Sequence, residues 1–125
     1  ALKAEFLAEN IFDYFTASRQ DQFDLIVLDP PSFARNKASV PGALRGYKEL
    51  NLRALRMLSK KGILASYSCS KSVSREVYME VLTSAAIDAG RRVRIVEMTG
   101  QPKDHPAILG IPETEYLKGA ILEVE

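Results

Sequence analysis

Hydrophobic and polar residues alternate in blocks that read as a short series of strands and helices. The clearest is Phe23-Asp24-Leu25-Ile26-Val27-Leu28-Asp29, whose core from Leu25 to Leu28 is continuously apolar. Runs of this kind mark strands covered on both faces, as in parallel sheets. Pro30-Pro31 ends the run, because neither residue can donate to a strand ladder. Upstream, Ala4 to Ala8 has the composition of a short strand. Asn10 suits the cap of a helix from Ile11 to about Arg19, with Phe12 and Phe15 on its buried face. Downstream, Ser32 to Gly42 is a polar, basic loop. A helix from about Ala43 to Leu58 follows, with Leu44, Tyr47, Asn51, Leu55 and Leu58 on one side. Ser59-Lys60-Lys61-Gly62 closes it, and Ile63 to Ser68 is the next strand.

Ser72 or Ser74 caps a further helix to about Ala89, which Gly90 stops. Arg91 to Thr99 reads as a strand, Gly100 to Glu115 as a loop and Tyr116 to Val124 as a last strand. The fold class is therefore α/β. The strand-helix-strand order implies parallel pairing with right-handed crossovers, and the final two strands form an antiparallel hairpin. Strand 23–29 is apolar enough to be central, yet one short candidate strand precedes it and no Gly-x-Gly loop occurs. The chain thus reads as the C-terminal part of a larger doubly wound domain, with an open sheet edge at strand 23–29. An open apolar edge recruits partners, so a homodimer through that edge is expected.

The composition fits a globular domain, at 46% hydrophobic and 26% charged residues. No apolar run approaches the ~20 residues of a membrane-spanning helix, and no membrane association is expected. One cysteine, Cys69, and one histidine, His105, make a metal site unexpected. The lone thiol fits a reducing cytoplasm. Net charge is only +1, but residues 30–61 hold eight basic side chains against Glu49 alone. Such a block suggests a polyanion on one face, or else the solvated side of a helix.

Two segments carry candidate chemistry. Asp29-Pro30-Pro31-Ser32-Phe33 stands at the carboxyl end of a strand, where open α/β sheets bind ligands. Asp29 offers a fixed acceptor and Phe33 a stacking ring; a rigid strand exit is the alternative. Ser68-Cys69-Ser70 ends the next strand. If the two strands are parallel neighbours, Asp29 and Cys69 share one cleft. Cys69 is then either a nucleophile or a small buried hydrophobe. The methionines, at 57, 79 and 98, read as core.

Phe23 to Phe33, Arg45-Gly46-Tyr47-Lys48, Asn51, Gly62-Ile63-Leu64, Ser68-Cys69-Ser70, Ala85 to Arg91, Asp104-His105-Pro106 and Tyr116-Leu117-Lys118-Gly119 together resemble one bacterial family. It comprises the class I, Rossmann-like methyltransferases that use S-adenosyl-L-methionine to make 5-methylcytosine in large-subunit ribosomal RNA. The resemblance covers nearly all of residues 1–125. It implies a partial methyltransferase domain, lacking the Gly-rich cofactor motif and the N-terminal RNA-binding domain, and inactive by itself. It implies Cys69 as nucleophile with Asp29 as its catalytic partner. Asn10, Asp29 and Pro30 would bind the cofactor, with Asn10 standing where the family has an acidic residue. Pro31 and Phe33 would meet the base. Arg35, Lys37, Arg45 and Lys48 would meet ribosomal RNA phosphates. The alternatives are a methyltransferase acting on a guanine or adenine nitrogen of RNA, which needs no thiol, and a non-catalytic RNA-binding or dimerisation module.

Overall fold

The computed structural model describes residues 2–17 and 20–125. Its elements are α1 (Ile11–Ala17), β1 (Phe23–Leu28), a 3-10 turn (Lys37–Ser39), α2 (Val40–Met57), β2 (Leu58–Ser68), α3 (Arg75–Ala89), β3 (Val93–Thr99), a second 3-10 turn (Pro112–Thr114) and β4 (Lys118–Val124). One sheet has the order β1-β2-β4-β3. β1 and β2 pair in parallel, and β3 and β4 pair antiparallel, as the strand order implied. The last strand also pairs antiparallel with β2, so it lies between the two strands that precede it.

Several elements follow directly from local chemistry. Asn10 caps α1, its Oδ1 accepting from the Phe12 and Asp13 amides. Ser74 caps α3 by accepting from the Val77 amide, and Gly90 ends that helix in the left-handed region at φ 67°. β1 stops at Leu28, one residue before the expected end, because two prolines follow Asp29.

Other elements differ from the sequence reading. Residues 4–8 form no strand, since no ladder partner meets them, and Phe6 lies exposed. Arg19, the expected end of the first helix, lies outside the described residues. Of its two phenylalanines only Phe15 is buried; Phe12 is partly exposed. α2 starts three residues early, because Pro41 sits in its first turn, where the missing amide has no partner to lose. Ser59 to Gly62 is an excursion within β2 rather than a helix stop. Phe23 pairs with Leu58 and Leu25 with Ile63, while Lys61 takes φ 68°. Met98 lies on β3 and is exposed; Met57 is core.

The core lies between the sheet and α2 with α3. Tyr47, Leu50, Leu55 and Met57 of α2 meet Leu64, Leu122 and Val124 of the sheet and Tyr78 and Leu82 of α3. Arg91 ties the assembly, donating to the carbonyls of Leu55 and Leu58 at the end of α2. β1 is an edge strand, with Leu25 and Val27 exposed on the face away from α2 and α3. Among the described residues no helix is long and apolar enough to cross a membrane.

Candidate active site

Parallel pairing of β1 with β2 sets Leu28 beside Ser66, so the two chains leave the sheet at the same end. Asp29-Pro30-Pro31 and Cys69 therefore emerge side by side. The Cys69 Sγ lies 4.0 Å from the Pro30 carbonyl oxygen, a long contact in which the thiol donates. Cys69 is half-buried and Asp29 exposed.

Buried polar side chains hold this end of the sheet. The Phe33 amide donates to Tyr47 Oη at 3.2 Å, and Tyr47 also bonds Ser70 Oγ. Ser70 Oγ lies 2.8 Å from Ser32 Oγ, which donates to the Ala34 carbonyl at 3.0 Å. Ser32 has one proton and spends it on Ala34, so the whole chain has one direction. Tyr47 donates to Ser70, and Ser70 donates to Ser32. These bonds join the segment after Asp29-Pro30-Pro31 to the segment after Cys69. A second set lies beneath. Ser66 Oγ donates to Asn51 Oδ1 at 2.6 Å, Asn51 Nδ2 donates to the Tyr47 carbonyl at 2.8 Å, and Tyr78 Oη meets Ser66 Oγ at 2.6 Å. Burial pushes the Tyr78 phenol above the usual tyrosine range, against the pull of Ser66 and Asn51.

An open pocket of about 430 Å³ lies beside β1 and is lined by Asn10, Phe12, Val27, Asp29, Pro30, Pro31 and Phe33 among others. A second, of about 590 Å³, shares Phe12 and Phe33 with it and is lined by Arg45 and Gly46. Gly46 lets α2 approach the Phe33 ring, since a Cβ there would meet Phe33 at 3.3 Å. The five candidates Asn10, Asp29, Pro30, Pro31 and Phe33 are thus brought together, with Arg45 adjoining. Arg35 and Lys37 stand exposed on the loop between.

Two candidates sit differently from the expectation. Lys48 is drawn to Asp88 of α3, with Nζ to Oδ2 at 2.6 Å, and lines neither pocket. The side-chain carbonyl of Asn10, which stands where an acidic acceptor was expected, already accepts two backbone amides; what remains for the pocket is its amide nitrogen. His105 is exposed, with Asp104 3.8 Å away. Among the described residues no group of three or more His, Cys, Asp and Glu is placed to hold a metal.

The sequence reading gave no part in the site to Lys118, Ser70, Tyr47 or Ser66. Lys118 is buried, and its Nζ donates to the carbonyls of Ser70 and Tyr116. The available signal was a lysine directly before the apolar run Gly119-Ala120-Ile121-Leu122.

This sheet, with its parallel β1–β2 pair and inserted last strand, is the α/β fold of methyltransferase structures. A protein assigned as a methyltransferase and solved with SAH superposes with a TM-score of 0.78 at 25% identity, over 93% of this chain and 30% of that one. A Streptococcus mutans protein assigned as a SAM-dependent methyltransferase gives 0.77 at 20% identity, over the same shares. In sequence, a Serratia proteamaculans protein named ribosomal RNA large subunit methyltransferase I is 45% identical over 119 residues, 94% of this chain and 30% of that protein. A Citrobacter koseri protein of the same name is 43% identical over the same shares. The chain spans about 30% of the length of the relatives it matches. No family model matches it.

Proposed function

We propose that the chain is part of a longer, cytoplasmic methyltransferase that forms 5-methylcytosine in large-subunit ribosomal RNA, with Cys69 as nucleophile. The observation that carries this reading is the meeting of Cys69 with the Asp29-Pro30-Pro31 turn at the ends of adjacent parallel strands. The names of the relatives support the ribosomal substrate. The apolar pocket beside β1, with Asn10 and Asp29 on its lining, fits an adenosyl group. Asn10, Asp29 and Pro30 would hold S-adenosylmethionine there; when bound, it supplies an electrophilic methyl group.

Cytosine carbon 5 is a poor nucleophile. The Cys69 thiolate adds to carbon 6, forming a carbon–sulfur bond while the C5–C6 π pair moves toward carbon 5 and the ring. Asp29 contacts the ring-nitrogen edge of the base and favours that polarised form. After methylation the carbon-5 proton leaves, its electron pair restores the double bond, and the Cys69 thiolate is expelled. The base must be unstacked to reach the thiol. Pro31 and Phe33 flank it, and Arg35, Lys37 and Arg45 take the phosphates.

The test uses the longer protein with unmethylated large-subunit ribosomal RNA and nucleoside mass spectrometry. Wild type should yield 5-methylcytidine. Cys69→Ala should yield none while binding S-adenosylmethionine normally in calorimetry. RNA carrying 5-fluorocytidine should trap a covalent adduct with wild type and not with Cys69→Ala. Full methylation by Cys69→Ala would overturn the nucleophile assignment. Product on a guanine or adenine nitrogen would point to nitrogen methylation, and RNA binding without any product to a non-catalytic module.

A further inference from the structure

Lys118 opens β4 directly opposite Ser68 in the ladder and is only 3% exposed. An apolar side chain would pack there at less cost, because an ammonium taken out of water needs close partners. Its Nζ reaches two, the backbone carbonyls of Ser70 and Tyr116. The first belongs to the residue after Cys69, so the ammonium is fastened to the turn that carries the sulfur. Burial pushes Lys118 below the ordinary lysine range, and the Cys69 sulfur pulls it back up. Arg75 adds to the first effect and Glu115 to the second.

We infer that Lys118 is the positioning residue of the Cys69 site. Its ammonium fixes the Ser68–Ser70 segment through the Ser70 carbonyl and gives the sulfur a positive neighbour. The role of this charge in catalysis rests on the reading of Cys69 as nucleophile. The charge beside the sulfur is a property of the chain whatever reaction it serves. The other charged groups in the neighbourhood are Asp29, Lys71, Arg75 and Glu115. Arg75 is engaged, its Nη1 donating to the Thr99 carbonyl at 2.9 Å. A pocket of about 330 Å³ opens between Lys71, Arg75, Glu115 and Lys118.

Cys69 is the only cysteine, so alkylation of the 125-residue chain reports on it alone. The measurement compares anionic iodoacetate with neutral iodoacetamide. Both consume the thiolate, so the thiolate fraction cancels in the ratio of their rates and the local charge remains. Lys118→Met should lower the iodoacetate-to-iodoacetamide ratio about two- to fivefold, which is the effect of one unit charge at ~4–8 Å in a water-like dielectric. Lys118→Arg should keep it. A merely structural role would change both rates together. An unchanged ratio in folded Lys118→Met overturns the inference. If that variant does not fold, Lys71→Met is measured native and in urea. The native ratio should be the higher, and equal ratios overturn the inference. Methylation by Cys69→Ala in the longer protein would sink the nucleophile reading and leave this ratio untouched, so the two failures are distinguishable.

Discussion

The two faces of the sheet have opposite characters, although the same four strands make both. On one, Ile26, Leu28, Leu64, Ser66, Ala120 and Leu122 point toward α2 and α3, and Leu64 and Ala120 are fully buried. On the other, Leu25 and Val27 pair with Ile63 and Ala65, and each of the two is 59% exposed. That face changes along the sheet, ending at β3 in an ion pair between exposed Arg94 and half-buried Glu123. The covered face holds both the core and the polar network behind Cys69. The open face carries apolar side chains on the edge strand that no helix among the described residues buries. A continuous apolar run therefore records what a strand is made to meet, while the described residues supply the cover for one side only.

The largest expected effect falls on the covered face. Leu64→Ala removes a fully buried side chain between β2 and the helices, and should cost about 2–5 kcal/mol. Val27→Ala, one position along from Leu64's partner Ile26 and so on the open face, should cost under ~1 kcal/mol, because most of its surface already meets water. Urea denaturation of both variants checks the contrast. Equal losses would mean that the open face is covered in solution.

A smaller effect, with a pH signature, is expected from the network on the covered face. Tyr78→Phe removes a hydroxyl that meets Ser66, Asn51 and the Tyr67 carbonyl, and should cost about 1–3 kcal/mol at neutral pH. The folded phenol titrates above the ordinary tyrosine value of 10.0. Between 10.0 and the folded value the unfolded chain has lost this proton and the folded chain has kept it. Wild-type stability from Tyr78 is therefore full below 10.0 and declines as pH rises above it. The variant has no such loss, so its deficit should shrink above pH 10. A deficit constant from pH 8 to pH 11 in denaturant midpoints would contradict the assignment. Lys118 runs the other way: its lowered folded value means that stability rises with pH through the window below 10.5.

Much of this was legible in the sequence where it depends on neighbours along the chain. The Asn10 and Ser74 caps, the Gly90 stop and the proline exit from β1 are local chemistry. The meeting of Asp29 with Cys69 follows once two successive strands are taken as parallel neighbours. What the sequence withheld is nonlocal. The hairpin of β3 and β4 was readable, but the insertion of β4 against β2 requires knowing which edge is free. Only that insertion makes Lys118 a buried residue opposite Ser68. It also explains Gly119, since a Cβ there would sit 2.5 Å from the Tyr67 ring of the neighbouring strand. Lys48 lay on the polar side of its helix beside the basic loop; its partner Asp88 belongs to another helix and leaves no mark nearby in sequence.

The smallest effect on stability should accompany a visible change in association. Val27→Lys places a charge on the open face of the edge strand, where the side chain is already mostly in water, so folding should shift by no more than ~0.5 kcal/mol. Inward or edge charges are also how natural sheets block pairing between chains. β1 is the edge of the sheet, and Leu25 and Val27 make its open face apolar. The 125-residue chain should therefore sediment with a concentration-dependent average mass, and Val27→Lys should return it to the monomer mass of 13.9 kDa. Glu97, on the same face but across the sheet on β3, gives the control: Glu97→Lys should leave the association unchanged, because it exchanges one exposed charge for another away from β1. A monomer at every concentration would show that the open face of β1 attracts no second copy. Association that survives Val27→Lys would move the contact to another surface, with the exposed Leu2 to Leu7 segment next to be tested.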